Sequence, residues 1–126
     1  MSTNCHIIVA DKGEKIGFLI FRHFDGYPGA VVPELEDALE YAWPLPQFEA
    51  DDFAAAIVAA WKPKGGGDIR LAGTIELKDK KTLESYVYVI SQLENKKIQI
   101  QVFFEEDKPI WTGILGENKY EESEDD

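Results

Sequence analysis

The chain has 126 residues, of which 44% are hydrophobic and 12% aromatic, a composition typical of one globular domain rather than a disordered protein. Its net charge of −11 disfavours binding to the phosphate backbone of a nucleic acid and favours a basic protein partner. The longest apolar runs are too short to span a membrane, and the single Cys5 permits no intrachain disulfide, so we expect a cytoplasmic protein.

Two β-prone segments open the chain, at residues 6–10 and 16–21. The loop between them is short and contains Gly13, and this arrangement predicts a β-hairpin. The second segment is apolar at both alternating sets of positions. That pattern predicts a central strand that is buried on both faces of a sheet.

Polar side chains concentrate where the second strand ends, and four of them are candidates for binding a ligand or partner: Arg22, His23, Asp25 and Tyr27. A histidine titrates near neutral pH, a carboxylate can fix its tautomer, and an arginine binds phosphate or carboxylate groups, so the cluster could form an anion or acid–base site. The alternative is a structural corner, in which Asp25 accepts amides of the turn and Arg22 pairs with acids of a helix. In either case we expect a positive φ at Gly26.

Two helices are predicted in the middle of the chain. Apolar residues recur with helical spacing from Leu35 to Ala42, with Pro33 in the first turn, and a second apolar stripe runs from about Glu49 to Trp61. The three glycines at 65–67 end the second helix. They follow no strand and precede no Lys-Ser/Thr pair, so they indicate a linker and not a phosphate-binding loop.

The last third of the chain is rich in strand patterns, at residues 69–77, 86–90, 98–104 and 110–115. We therefore predict an α+β fold with a mostly antiparallel sheet of five or six strands and two helices packed on one face, in the order ββααβββ. This single domain would cover residues 1–116. The acidic residues 117–126 hold few apolar side chains and would form a disordered tail.

Four aromatic residues on the predicted strands are candidates for a partner surface: Phe21, Tyr86, Tyr88 and Phe103. If they cluster on the face of the sheet that the helices leave open, the patch would suit a protein partner or a second copy of the chain. The alternative is that long loops or the C-terminal strand cover them.

No catalytic residue, metal site or cofactor motif can be assigned. Only Cys5, His6 and His23 offer nitrogen or sulfur ligands, and zinc usually takes three or four protein groups. Cys5 could in principle pair with one of the histidines as a nucleophile, but a cysteine so near the terminus is more often an incidental thiol. The serines lie in no nucleophile-elbow context.

The turn at residues 22–28, Arg-His-Phe-Asp-Gly-Tyr-Pro, resembles a motif of small phage and prophage proteins of unknown function. In those proteins the motif leads into a helical middle and a later tyrosine-rich strand, here residues 86–89. The resemblance implies a phage-related origin and shifts the function towards proteins that alter host machinery. We therefore expect a small non-enzymatic protein that binds and modulates a host protein, for instance in counter-defence. The alternative is an enzyme that binds or hydrolyses a small anion or nucleotide at the turn.

Overall fold

The computed structural model describes residues 3–65 and 68–121, which contain six strands, two α-helices and two 3₁₀-helical segments of five and seven residues. The strands are β1 Cys5–Val9, β2 Ile16–Arg22, β3 Ile69–Glu76, β4 Tyr86–Gln92, β5 Ile98–Phe104 and β6 Trp111–Ile114. The helices are α1 Pro28–Leu35 and α2 Ala50–Gly65, and the 3₁₀ segments are Glu36–Glu40 and Leu77–Leu83. No helix in this part of the chain is long and apolar enough to cross a bilayer.

The strands form one mixed sheet in the order β3-β2-β1-β4-β5-β6. Every neighbouring pair is antiparallel except β1 and β4, which run parallel at the centre. The predicted α+β class, the mostly antiparallel sheet and the first hairpin are confirmed. The order ββααβββ is wrong in detail because four strands follow α2 and a 3₁₀ segment separates β3 from β4.

The main hydrophobic core lies between the sheet and the two α-helices. Side chains from the inner strands, such as Ile7 and Ile20, meet Phe53 and Ile57 of α2 and are fully buried. Successive side chains of a strand point to opposite faces of the sheet. Each inner strand therefore also presents side chains to the face that the two α-helices do not cover.

A smaller second core occupies the opposite face of the sheet. It contains Ile8, Leu19, Val87, Val89 and Phe103, and the 3₁₀ segment Leu77–Leu83 covers it with Leu77 and Leu83. Lys80 of the same segment places its ammonium 4.7 Å from the centre of the Phe103 ring. The sheet is therefore covered on both faces. The helices cover the face with the larger hydrophobic core.

The first helix begins earlier than the sequence pattern predicts. Pro28 occupies the first turn, where its fixed φ suits a helix and its missing amide costs no hydrogen bond. Pro33, expected in that position, lies inside α1, and the α-helix ends at Leu35, two residues later. The predicted continuation to Ala42 is replaced by the 3₁₀ segment, which still buries Ala38.

A β-bulge in β3 changes the faces to which its side chains point. The alternation of Ile69, Leu71 and Ile75 predicts one apolar face, but the register with β2 shifts between Phe18 and Ile20, and Gly73 has a φ of +89°. The extra residue turns Ile75 towards the second core, while Leu71 stays on the helix-covered face of the sheet.

The beginning of the predicted disordered tail, residues 117–126, contacts the domain. The amide of Ile114 donates to the Asn118 side-chain oxygen at 2.8 Å, and the ring of Tyr120 meets the ring of Trp111 edge-on at 5.7 Å. Tyr120 also packs against the main core. The last five residues lie outside the described part of the chain.

Candidate functional site

Arg22, the first of the four predicted site residues, is a buried side chain at the end of β2. Its residue is only 6% exposed. Its Nε donates to the carbonyl oxygen of Phe24 at 2.9 Å, and its Nη1 lies 2.9 Å from the Glu34 carboxylate of α1. A buried cation is tolerated when it is paired and hydrogen-bonded in this way.

Trp61 of α2 completes the surroundings of the guanidinium. The guanidinium carbon lies 4.6 Å from the centre of the indole ring, within the range of a cation–π contact. The indole Nε1 donates to the main-chain oxygen of Glu34 at 3.0 Å. Arg22, Glu34 and Trp61, which we call the arginine clamp, therefore join the end of β2 to both helices.

A small cavity lies beside the arginine clamp. Its volume is about 160 Å³, and its lining also includes Asp25, Lys64 and Asp68. The Lys64 ammonium pairs with Asp37 at 2.7 Å, which raises the pKa of Lys64 through a hydrogen bond and the attraction of the carboxylate. Cavities that enclose small organic ligands usually measure several hundred Å³, and this one is smaller.

The turn itself is held by main-chain contacts around Gly26. The Gly26 amide donates to the Thr3 oxygen at 2.7 Å, and the buried Tyr88 hydroxyl donates to the Gly26 oxygen at 2.6 Å. Burial raises the pKa of Tyr88 strongly, which keeps this hydroxyl a donor. A β-carbon at Gly26 would lie 2.5 Å from the Asn4 carbonyl carbon, so only glycine fits here.

The expectation of a positive φ at Gly26 is wrong. The left-handed residue of the turn is Asp25, whose φ is +55°, a conformation that aspartate tolerates better than most residues. Glycine is needed at the next position for steric reasons, because the turn lies directly against the segment that leads into β1.

The four predicted site residues do not converge on one point. Arg22 and Asp25 border the same cavity, whereas the exposed His23 packs its ring edge-on against Phe24 at 4.3 Å. Tyr27 precedes α1 and is also exposed. Arg22 is the last residue of β2 and His23 follows it, so their side chains project to opposite faces of the sheet. The turn after them does not bring the two side chains back together.

The four predicted aromatic residues do not form one patch either. Tyr86 and Tyr88 contact the main core on the helix-covered face. Phe103 pairs with Val87 in the sheet and lies in the second core, only 4% exposed. Phe21 shares this face but sits beside His6, with ring centres 5.3 Å apart.

His6 and Ser85 form a pair that the sequence analysis did not single out. His6 Nδ1 lies 2.9 Å from Ser85 Oγ, and that hydroxyl donates to the carbonyl oxygen of Tyr86 at 2.9 Å. The Tyr86 carbonyl oxygen competes with the imidazole for the single Ser85 proton, and Ser85 is buried, so the pair is poorly placed to act as a serine nucleophile and its base. Partial burial lowers the pKa of His6.

Cys5 is also unsuited to act as a nucleophile. The residue is fully buried, and burial raises the pKa of its thiol to about 12. The reactive form of a cysteine is the thiolate, which is negligible at neutral pH with such a pKa. The pairing of Cys5 with a histidine, considered from the sequence, thus finds no support.

An exposed apolar groove lies at the β3 edge of the sheet. Its volume is about 480 Å³, and we call it the edge groove, with the lining Phe18, Leu19, Ile20, Asp51, Ala54, Ala55, Val58, Leu71, Gly73 and Thr74. Leu71 is 77% exposed, and Phe18 and the neighbouring Ile16 are 40% and 55% exposed. The sequence analysis did not predict this groove, and the signal that could have pointed to it is Gly73, because an isolated glycine in a strand indicates a bulge.

A second group of exposed apolar side chains lies near the first turn of α2. Tyr41, Trp43 and Leu45 are all about half exposed, on the loop between the 3₁₀ segment and α2. The amide of Trp43 donates to the carboxylate of Asp52 at 2.9 Å, which fixes the loop to the first turn of α2.

Comparison with models of known protein families, with curated proteins and with solved structures gave no match. Within residues 3–65 and 68–121, no group of three or more histidine, cysteine, aspartate or glutamate side chains is placed to hold a metal ion. The interpretation of the molecule therefore depends on its own geometry.

Substitution of Gly26 by alanine tests the steric account of the turn. The new methyl group would overlap the main chain at Asn4, so we expect a loss of about 2 kcal/mol or more in the free energy of unfolding. Gly29, exposed and inside α1, is the matched control: Gly29→Ala should be neutral or slightly stabilising, since alanine favours helix. Urea unfolding of both variants measures the difference, and equal stabilities would refute the account.

The lowered pKa of His6 predicts a pH dependence of stability. The folded state favours the neutral imidazole. The contribution of His6 to the free energy of unfolding is therefore complete above the unfolded-state pKa of about 6.5 and declines as the pH falls below that value. His6→Gln cannot titrate, and the difference between wild type and variant isolates this residue from the carboxylates. We expect urea unfolding between pH 7.5 and pH 5 to show a steeper loss for wild type. Parallel curves would show that burial does not act on His6.

Proposed function

We propose that this protein is a non-enzymatic protein-binding module whose contact surface centres on the edge groove. The observation that carries the proposal is the exposure of adjoining apolar side chains there, with Leu71 at 77% and Phe18 at 40%. Contiguous exposed apolar surface is costly in water and commonly marks an interaction site.

The state of the predicted polar site supports a binding module over the alternative enzyme. The Arg22 guanidinium already contacts Glu34, Trp61 and the Phe24 carbonyl, so much of its capacity to bind an anion is used within the protein. The cavity next to it is about 160 Å³. The geometry thus favours a structural role for the arginine clamp.

The setting of this function follows from the sequence resemblance alone. A phage or prophage origin would make the partner a protein of the host cytoplasm, and a small chain of this kind would act by covering a surface that its partner needs. Steering by the net charge of −11 favours a partner with a basic surface. Counter-defence is one setting in which such occlusion would be useful.

Affinity capture tests the proposal when it is paired with a variant of the edge groove. The tagged protein is exposed to a lysate of the host, and bound proteins are identified by mass spectrometry and then purified for binding measurements. We expect Leu71→Asp to weaken the purified complex by about tenfold or more. The matched control is Thr112→Asp, which adds the same charge to an exposed residue on the other edge strand and should bind as wild type.

A turnover screen against phosphoesters, carboxylic esters and nucleotides completes the test. The proposal predicts no turnover with any of these substrates. Turnover would contradict the proposed binding function if it has a bell-shaped pH profile with one limb near pH 6 to 7 and is abolished by His23→Ala. That result would favour the alternative function as an enzyme.

A further inference from the structure

We infer that the edge groove takes an extended segment of the partner, added as a strand beside β3, and that this segment combines alternating apolar residues with a lysine or arginine. The inference rests on the proposed function and adds to it the conformation and chemistry of the partner.

The position of β3 supports strand addition. In the sheet of the described residues β3 is one of the two edge strands and pairs with β2 on one side. Its residues from Arg70 to Thr74 are all exposed. The outer side of an edge strand presents main-chain donors and acceptors to which another extended chain can pair.

The bulge shapes the groove for the side chains of such a strand. Leu71 pairs with Ile20 and Thr74 pairs with Phe18, and Ile20 and Phe18 are two residues apart on one strand. Leu71 and Thr74 therefore face the same side of the sheet and border the groove beside α2. An added strand would place every second side chain on this face, against Leu71 and the alanines of α2.

The charge of the groove selects a basic segment. Asp51 supplies the single ionisable side chain in the lining. It is exposed at the start of α2, where one of its oxygens accepts the Asp52 amide at 2.7 Å. A lysine or arginine that flanks the apolar residues could pair with this carboxylate, whereas an acidic segment would be repelled by it and by the net charge of −11.

The same charge argues against two other occupants. A second copy of the chain would bring another net charge of −11 to the interface. The residues after Glu121 of the chain itself are almost all acidic and would meet Asp51 with like charge. A basic extended segment has neither disadvantage.

Selection from a random octapeptide library displayed on a carrier protein tests the inference without requiring the partner itself. On wild type we expect a consensus with apolar residues at alternating positions and at least one lysine or arginine. Synthetic peptides of that consensus should bind Leu71→Asp about tenfold more weakly and Thr112→Asp equally well. Asp51→Asn can still accept the Asp52 amide but lacks the charge, so it should reduce the preference for basic over neutral peptides several-fold.

Each other outcome overturns the inference in a recognisable way. A consensus with apolar residues three and four apart would assign the groove to a helix. An acidic consensus, no enrichment, or peptides that bind Leu71→Asp as tightly as wild type would remove the groove as a strand-binding site. Sedimentation that shows a dimer lost in Leu71→Asp would assign the groove to a second copy. Capture of one purified partner equally by wild type and Leu71→Asp would leave a protein-binding function standing and reject only this site.

Discussion

A guanidinium group inside a protein has to be paired, and the fold of this chain is arranged around that requirement at Arg22. The side chain extends from the end of β2 into the space between the sheet and the helices. Glu34 brings the carboxylate from α1, and Trp61 brings the ring from α2. Since the indole also donates to the main chain of Glu34, the position of each helix depends on the other and on the strand. This contact joins β2 and α1, which are consecutive in the chain, to the more distant α2.

The turn after Arg22 ties a second set of elements together. Gly26 contacts the segment before β1 through its amide and receives the hydroxyl of Tyr88 from β4. The central parallel pair β1 and β4 is thereby tied to the start of α1, whose first residue is Pro28. Packing therefore explains Arg22 and Gly26 of the motif, whereas His23, Phe24 and Tyr27 remain exposed.

The sequence predicted what depends on local pattern. Alternating apolar residues located the strands, and the Gly13 loop predicted the hairpin, because both signals arise within a few residues. The parallel pairing of β1 with β4 was not predictable in this way, since it joins segments that are far apart in the chain. The cover over the second core was missed for a similar reason: the charged segment Leu77–Leu83 has the composition of a loop, yet it holds two leucines against the sheet.

Local sequence pattern was equally insufficient to predict the candidate binding surfaces. The composition of the Arg22 turn suggested a site, but the sequence could not show that Glu34 and Trp61 would reach the guanidinium. The alternation through β3 suggested one buried face, but the bulge at Gly73 turns Ile75 to the second core, and Leu71, before the bulge, is exposed in the edge groove. One extra residue in a strand changes the face of all that follow, so the groove depends on a register that only the paired strands define.

The central claim is that Arg22 is a structural clamp, and a double-mutant cycle measures it directly. Arg22→Met keeps much of the length of the side chain and removes its charge, Glu34→Gln removes the opposite charge, and urea unfolding of both single variants and the double variant gives the coupling energy. The account predicts that Arg22→Met lowers the free energy of unfolding by about 2 to 4 kcal/mol and that the two residues are coupled by about 1 kcal/mol. An Arg22→Met variant as stable as wild type, with no coupling to Glu34, would contradict the account and make Arg22 a candidate for binding again.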